Sequence, residues 1–239
     1  MKTFAFIPSR YGSTRFPGKP LAMIAGRPMV WHVYNCATSC PDISEVFVTT
    51  DDDFGGRAIM TQERHPSGSD RIAEAVQQLD LNEDDLIVNI QGDQPLFETS
   101  LISHMIAPLI EDKNIPMGTV KYRITDIAEV ENTNIVKVVT DADGFALYFS
   151  RCPIPCFRDS VSSQAHYKHL GFYVFRKDFL IEFGRLPTGR LEAAEKLEQL
   201  RALEHGFRIK VVETTSNSIE VDAPEDIQKV EEILRKPND

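Results

Sequence analysis

Short apolar runs alternate along this chain with stretches in which apolar residues recur every three or four positions. Residues 4–7 form a first apolar run and predict a strand. Met29, Val30, Val33, Tyr34 and Ala37 lie at helical spacing and predict a helix over residues 28–37. Residues 46–50 are rich in β-branched side chains and predict a second strand. Ile72, Ala75, Val76 and Leu79 share one face of a helix over residues 71–79. Residues 86–91 are almost continuously apolar, the pattern of a strand covered on both faces, and a helix over residues 100–110 follows. This β-α-β-α-β order predicts an α/β fold with a doubly wound, mainly parallel sheet and right-handed crossovers. Ligands of such sheets sit beyond the carboxyl ends of the strands. That rule draws three loops toward one site, at residues 8–20, 50–53 and 92–95.

The second half is more mixed. Residues 118–123, 135–140, 145–150 and 171–175 read as strands, with Asp141-Ala142-Asp143-Gly144 as a hairpin turn. Residues 191–203 predict one strong helix. A late strand covers 209–213, and a closing helix spans 224–234 with Asp222 placed to cap it. No internal repeat or low-complexity linker divides the chain. A single domain over 1–239 is expected, with a nucleotide-binding half at 1–112 and a second half at 113–239.

Composition narrows the partners. The 239 residues suffice for a sizeable core, and the formal net charge of −10 argues against nucleic acid or an anionic membrane as a partner. No apolar run reaches membrane-spanning length, and the N-terminus lacks a signal-peptide pattern, so a cytoplasmic location is expected. The four cysteines form two pairs, Cys36 with Cys40 and Cys152 with Cys156. Their spacing is not the C-x2-C of common zinc sites, and buried or half-buried free thiols are the expected state.

Against this acidic background one segment is cationic. Ile7-Pro8-Ser9-Arg10-Tyr11-Gly12-Ser13-Thr14-Arg15-Phe16-Pro17-Gly18-Lys19-Pro20 carries two arginines, one lysine and two glycines. Glycines let backbone N–H groups approach an anion, and Arg10, Arg15 and Lys19 add charge aimed at phosphates. It is not a Walker A loop, because Lys19 is followed by Pro20. Gln91-Gly92-Asp93-Gln94-Pro95 puts a carboxylate at the tip of the third strand. Asp93 is therefore a candidate Mg²⁺ ligand, hard cations preferring carboxylate oxygen. Val221-Asp222-Ala223-Pro224 offers a second carboxylate. Ser67 and Ser69 supply hydroxyls around Gly68, and Arg71 a cation. Arg151 and His169 stand at strand ends. Glu192 and Glu195 read as solvated unless their helix lines the cleft.

Together these segments resemble the 3-deoxy-manno-octulosonate cytidylyltransferase (CMP-Kdo synthetase) family. The match runs nearly the full length, in family order. It comprises residues 7–20, Ser67-Gly68-Ser69-Asp70-Arg71, Val88-Asn89-Ile90-Gln91-Gly92-Asp93-Gln94-Pro95, Ala146-Leu147-Tyr148-Phe149-Ser150-Arg151, His169-Leu170-Gly171, Leu197-Glu198-Gln199-Leu200-Arg201 and Val221-Asp222-Ala223-Pro224-Glu225-Asp226. The resemblance implies a nucleotide-diphospho-sugar transferase (GT-A-like) fold with a small mixed lobe for sugar binding and dimerisation, and a homodimer. It implies transfer of CMP from CTP to the sugar acid Kdo with Mg²⁺, for the lipopolysaccharide core. By the family pattern Arg10, Arg15 and Lys19 hold the triphosphate, and Pro8, Ser9, Ser13, Ser67 and Arg71 help bind the nucleotide. Asp93 and Asp222 bind the metal. Gln91, Arg151, His169 and Glu195 face the sugar acid. Other sugar acids remain in view, both the 8-amino analogue of Kdo and the sialate of a CMP-sialate synthetase, and an inactive nucleotide-binding module is the reading from another class. The chain departs from the family pattern at Ser69, Asp70 and Gln94, and is short over residues 53–60 and 159–165.

Overall fold

The computed structural model describes residues 1–9, 16–50, 57–159 and 165–235. Strand β1 (Thr3–Ser9) is followed by a 3-10 turn (Lys19–Leu21), a small hairpin of β2 (Met23–Ile24) and β3 (Arg27–Pro28), and helix α1 (Met29–Thr38). Then come β4 (Glu45–Thr50), β5 (Ala58–Met60), α2 (Gly68–Gln77), β6 (Leu86–Asn89) and α3 (Ser100–Glu111). The second half holds β7 (Met117–Arg123), α4 (Ile127–Glu131), β8 (Lys137–Thr140), β9 (Ala146–Ser150), β10 (Tyr167–Arg176) and α5 (Lys177–Phe183). It closes with α6 (Arg190–Glu195), α7 (Gln199–Glu204), β11 (Ile209–Thr214) and α8 (Asp226–Arg235).

The main sheet runs β11-β7-β10-β6-β1-β4-β5, with β8 and β9 branching from β10. β1 pairs in parallel with β4 and β6, β5 with β4, and β11 with β7, whereas β10 is antiparallel to both β6 and β7. Alternation along β1 feeds two cores. Ala5 and Ile7 pack with α1 and α3, and Phe4 and Phe6 pack on the opposite face with Ile72 and Val76 of α2 and with Phe179 and Phe183 of α5. Side chains that alternate between two buried faces are what a strand between two helical layers requires. The expected doubly wound, mainly parallel sheet is therefore present. Among the described residues no helix is long and apolar enough to cross a membrane.

β1 is flanked by β4 on one side and β6 on the other, so chain order reverses between β1 and β6. The Phe6 carbonyl accepts from the Ile90 N–H on the β6 side. Pro8, two residues on, directs its missing N–H the same way, at a level where β6 has ended. The two strands part there, and a crevice opens at their carboxyl ends, where ligands of such sheets are found.

Three expectations are corrected. The single helix over 191–203 is two, because Lys196 takes a left-handed backbone (φ 56°) that ends α6 and turns the buried Leu197 toward the core. Tertiary demands here override a favourable helical sequence. Asp222 does not start the closing helix. α8 begins at Asp226, whose carboxylate accepts from the Asp222 and Ala223 N–H groups. Of the cysteines, Cys36 and Cys40 are half-buried and buried on and after α1, but Cys152 and Cys156 are exposed, on the segment leaving β9. The hairpin of β2 and β3 turns through Ala25 and Gly26, both at positive φ, a pair outside the usual Asn-Gly signature.

Candidate active site

Segments far apart in sequence wall one cleft at the parting of β1 and β6. Pro8 and Ser9 come from the end of β1, and Lys19 from the 3-10 turn that Gly18 enters at φ 69°. Ser67, Gly68 and Arg71 come from the start of α2, Gln91 to Asp93 from the segment after β6, and Glu220 and Asp222 from the segment before α8. Pro8, Ser9, Lys19, Ser67, Arg71, Gln91, Asp93 and Asp222 were expected at a site from the sequence, and they share this cleft. Arg10, Ser13 and Arg15 lie outside the described residues.

The two candidate metal carboxylates are brought together by backbone pairing. The Val221 N–H donates to the Asp93 carbonyl at 2.9 Å, and Leu96 bridges Ile219 in antiparallel fashion. Oxygens of Asp93, Asp222 and Glu220 fall within 4.8 Å of one another. Lys19 Nζ donates to Asp93 Oδ2 at 2.8 Å and to Asp222 Oδ1 at 3.4 Å, with only 12% of its side chain exposed. The other Asp93 oxygen, Oδ1, and Ser9 Oγ are buried with no hydrogen-bond partner among the described residues. Buried oxygens normally have a partner. An all-oxygen donor set with an unsatisfied buried carboxylate oxygen suits a hard divalent cation such as Mg²⁺.

Gly92 makes the junction possible. A Cβ built on it would lie 2.9 Å from the Pro8 carbonyl oxygen and 3.0 Å from Ser9 Oγ. Gly92→Ala is expected to push the Asp93 segment off β1 and lower turnover about tenfold or more, since misplacement of a reacting group by 1 Å costs about a hundredfold. Steady-state kinetics and thermal melting of the variant check this.

At the start of α2, Ser67 Oγ accepts from the Asp70 N–H at 3.2 Å and donates to Asp70 Oδ2 at 2.6 Å. Arg71 is buried, donating to Thr61 Oγ1 and the Glu63 carbonyl. Behind the cleft wall a polar chain runs from Gln91 Nε2 to Asn89, from Asn89 to Ser69 Oγ, and from Ser69 to the Glu198 carboxylate. Desolvation outweighs the serine hydrogen bonds and pushes the Glu198 carboxyl up.

Three expected sugar-facing residues do not line this cleft. Glu195 accepts from Ser150 Oγ at 2.7 Å and from the Arg151 N–H at 3.0 Å. Arg151 donates to the carbonyls of Glu195 and Thr133. His169 stands between the Phe149 and Tyr173 rings. Thr119 Oγ1 donates to the Phe172 carbonyl at 2.6 Å, so it accepts from His169 Nε2 at 2.8 Å. Burial lowers the His169 pKa to about 3 from 6.5. Between those values an unfolded chain binds a proton that the folded one refuses. This contribution to stability is full above pH 6.5 and is lost as pH falls toward 3. The His169 ring resonances are expected to stay constant by NMR from neutral pH down to about pH 5. A midpoint near the ordinary histidine value would contradict the burial.

Sequence reading missed Glu220 and Glu198. Glu220 was legible, because in an extended approach the residue two before Asp222 shares its face. Glu198 was not, because a continuous helix over 191–203 gives no reason to turn it toward α2. Glu192, read as solvated, is buried against Arg201.

A cytidylyltransferase family model matches residues 4–219. The 3-deoxy-manno-octulosonate cytidylyltransferase of Geobacter metallireducens is 51% identical over 254 residues, covering 99% of each chain. That of Syntrophus aciditrophicus is 51% identical over 241 residues, covering 98% of this chain and 97% of its own. A solved structure of CMP:2-keto-3-deoxy-manno-octonic acid synthetase complexed with CTP has a TM-score of 0.90 and 37% identity over 98% of both chains. The 4-diphosphocytidyl-2C-methyl-D-erythritol synthase of Anaerococcus prevotii covers 98% of this chain with a TM-score of 0.62 at 15% identity, a likeness of fold alone. With its acidic residues and Lys19 meeting at the switch point and half its residues shared with full-length relatives, this chain belongs to the 3-deoxy-manno-octulosonate cytidylyltransferase family of nucleotidyltransferases.

Proposed function

We propose that this chain joins CTP to Kdo, giving CMP-Kdo and pyrophosphate. The observation that carries the reading is the meeting of Asp93, Asp222 and Lys19 where β1 and β6 diverge. The anomeric hydroxyl oxygen of the sugar forms a bond to the α-phosphorus of CTP, the bond from that phosphorus to the β-phosphate bridging oxygen breaks, and the hydroxyl proton leaves to solvent. Such transfers depend on positioning and charge stabilisation rather than covalent intermediates.

Each residue then has a defined task. Lys19, with Arg10 and Arg15 of the same loop, stabilises charge on the departing pyrophosphate. Ser67, Gly68 and Arg71 border the nucleotide with Pro8, Ser9 and Ser13. Asp93 and Asp222 hold Mg²⁺, which when bound screens phosphate charge and polarises the reacting oxygens. Gln91 opens the sugar-acid side. It packs against Gly171, two residues from His169, and Arg151 and Glu195, paired to each other, belong like His169 to residues 113–239. His169, neutral at working pH, supports that side without bringing a charge. A cytoplasmic homodimer completes the reading, as in the family it resembles.

Pyrophosphate release tests the proposal. CTP is expected to be used in preference to UTP, dTTP and ATP, and Kdo in preference to its 8-amino analogue and sialate. Preference for the 8-amino sugar would reassign the substrate. Absence of release with every pair would leave a nucleotide-binding module.

A further inference from the structure

We infer that Lys19 is a resident counter-cation of Asp93 and Asp222 in a three-carboxylate site completed by Glu220, and that it competes with the divalent metal until a triphosphate draws it away. The inference rests on the proposed metal site and goes beyond it in two respects. It adds Glu220 to the site, and it makes metal affinity depend on where Lys19 points.

The geometry supplies the reason. Lys19 Nζ touches both Asp93 and Asp222, so the ammonium sits between the two carboxylates that would hold the metal. Three carboxylates whose oxygens lie within 4.8 Å repel one another, and Lys19 offsets part of that charge at Asp93 and Asp222. Lys19 is mostly shielded from solvent, where unit charges a few ångströms apart interact far more strongly than in bulk water. A divalent ion on Asp93 and Asp222 and an ammonium within about 3 Å of the same oxygens would repel strongly. Lys19 has somewhere else to go. It lines the same cleft as the start of α2, and its flexible four-carbon stem carries a point charge suited to phosphate. The nucleotide thereby serves twice: it supplies oxygens to the metal and removes the metal's competitor. By linkage, the triphosphate must tighten metal binding by the same factor by which the metal tightens triphosphate binding.

The test uses Mn²⁺ as a spin-active substitute for Mg²⁺, titrated into the full chain and followed by electron paramagnetic resonance with no nucleotide present. Lys19→Met is expected to bind Mn²⁺ about tenfold or more tighter than the wild type, although it removes a phosphate-binding group. Lys19→Arg, which keeps the charge, is expected to stay near wild type, and Glu220→Gln to bind about tenfold more weakly. A non-hydrolysable CTP analogue is expected to tighten Mn²⁺ binding more in the wild type than in Lys19→Met. Circular dichroism confirms folding of each variant. Unchanged or weaker Mn²⁺ binding by a folded Lys19→Met would overturn the inference while leaving the cytidylyltransferase reading intact. A wild type that takes up no Mn²⁺, with or without nucleotide, would overturn the metal site and this inference together, and the pyrophosphate assay would then judge the enzyme reading separately.

Discussion

Asp93→Asn is expected to lose turnover by about a hundredfold to a thousandfold while the protein stays folded. The amide keeps the shape of the carboxylate and removes its charge. In the wild type that charge lies 2.8 Å from Lys19 Nζ and beside the oxygens of Asp222 and Glu220. The change therefore strikes the cation site and the anchor of the triphosphate lysine at once. Stability is expected to move little, because the local backbone is held independently by the Val221 N–H on the Asp93 carbonyl and by the close approach of Gly92 to Pro8. Steady-state turnover with saturating CTP and Kdo, alongside a thermal melt, separates the two effects. Near-normal turnover in a folded variant would remove Asp93 from the chemistry.

Arg201→Met is expected to destabilise the fold by about 3 to 5 kcal/mol, the usual result of stranding a buried charge. Arg201 is 2% exposed, and its guanidinium is fully committed. Nε and Nη2 donate to Glu192, Nη1 and Nη2 donate to Asp70, and Nη1 also reaches the Phe183 carbonyl. The plane also lies 4.5 Å over the Phe183 ring. Removing it leaves two buried carboxylates facing each other across an apolar side chain. Asp70 also binds Ser67, so the disturbance reaches the lip of the cleft at the start of α2. Urea unfolding of Arg201→Met measures the loss. Adding Asp70→Asn and Glu192→Gln is expected to recover part of it, because the stranded charge is then gone. A triple variant no more stable than the single one would point to lost packing instead.

The fold was legible because its first half is written in simple periods. Most of the apolar run at residues 86–91 and the β-branched run at 46–50 form the strands β6 and β4 that pair in parallel with β1. The site was legible where chemistry and strand ends coincide. Lys19 and Asp93 each stand at a glycine-marked exit toward the cleft, and Asp222 follows an extended stretch.

What escaped was set by long-range contacts. The break at Lys196 carries no local signal, since residues 191–203 are good helix formers. It exists because Arg201 must meet both Glu192 and Asp70 while Glu195 meets Ser150. Hydrogen bonds spanning more than a hundred residues leave no trace in a short window of sequence. The same break sends Glu195 to the backbone of Arg151 and turns Glu198 toward Ser69, a distinction that a spacing argument could not make. The exposed Cys152 and Cys156 were misjudged for the complementary reason. Thiols are usually buried, and only the path of the chain after β9 shows that these two are exposed.

Anomalous diffraction from a crystal soaked with Mn²⁺ and a non-hydrolysable CTP analogue would settle whether the cleft at the parting of β1 and β6 gathers both metal and triphosphate. The expected map places a manganese peak on the carboxylates of Asp93 and Asp222, with the triphosphate within hydrogen-bonding reach of Lys19. A peak elsewhere, or a nucleotide bound with its phosphates turned away from Lys19, would contradict the account.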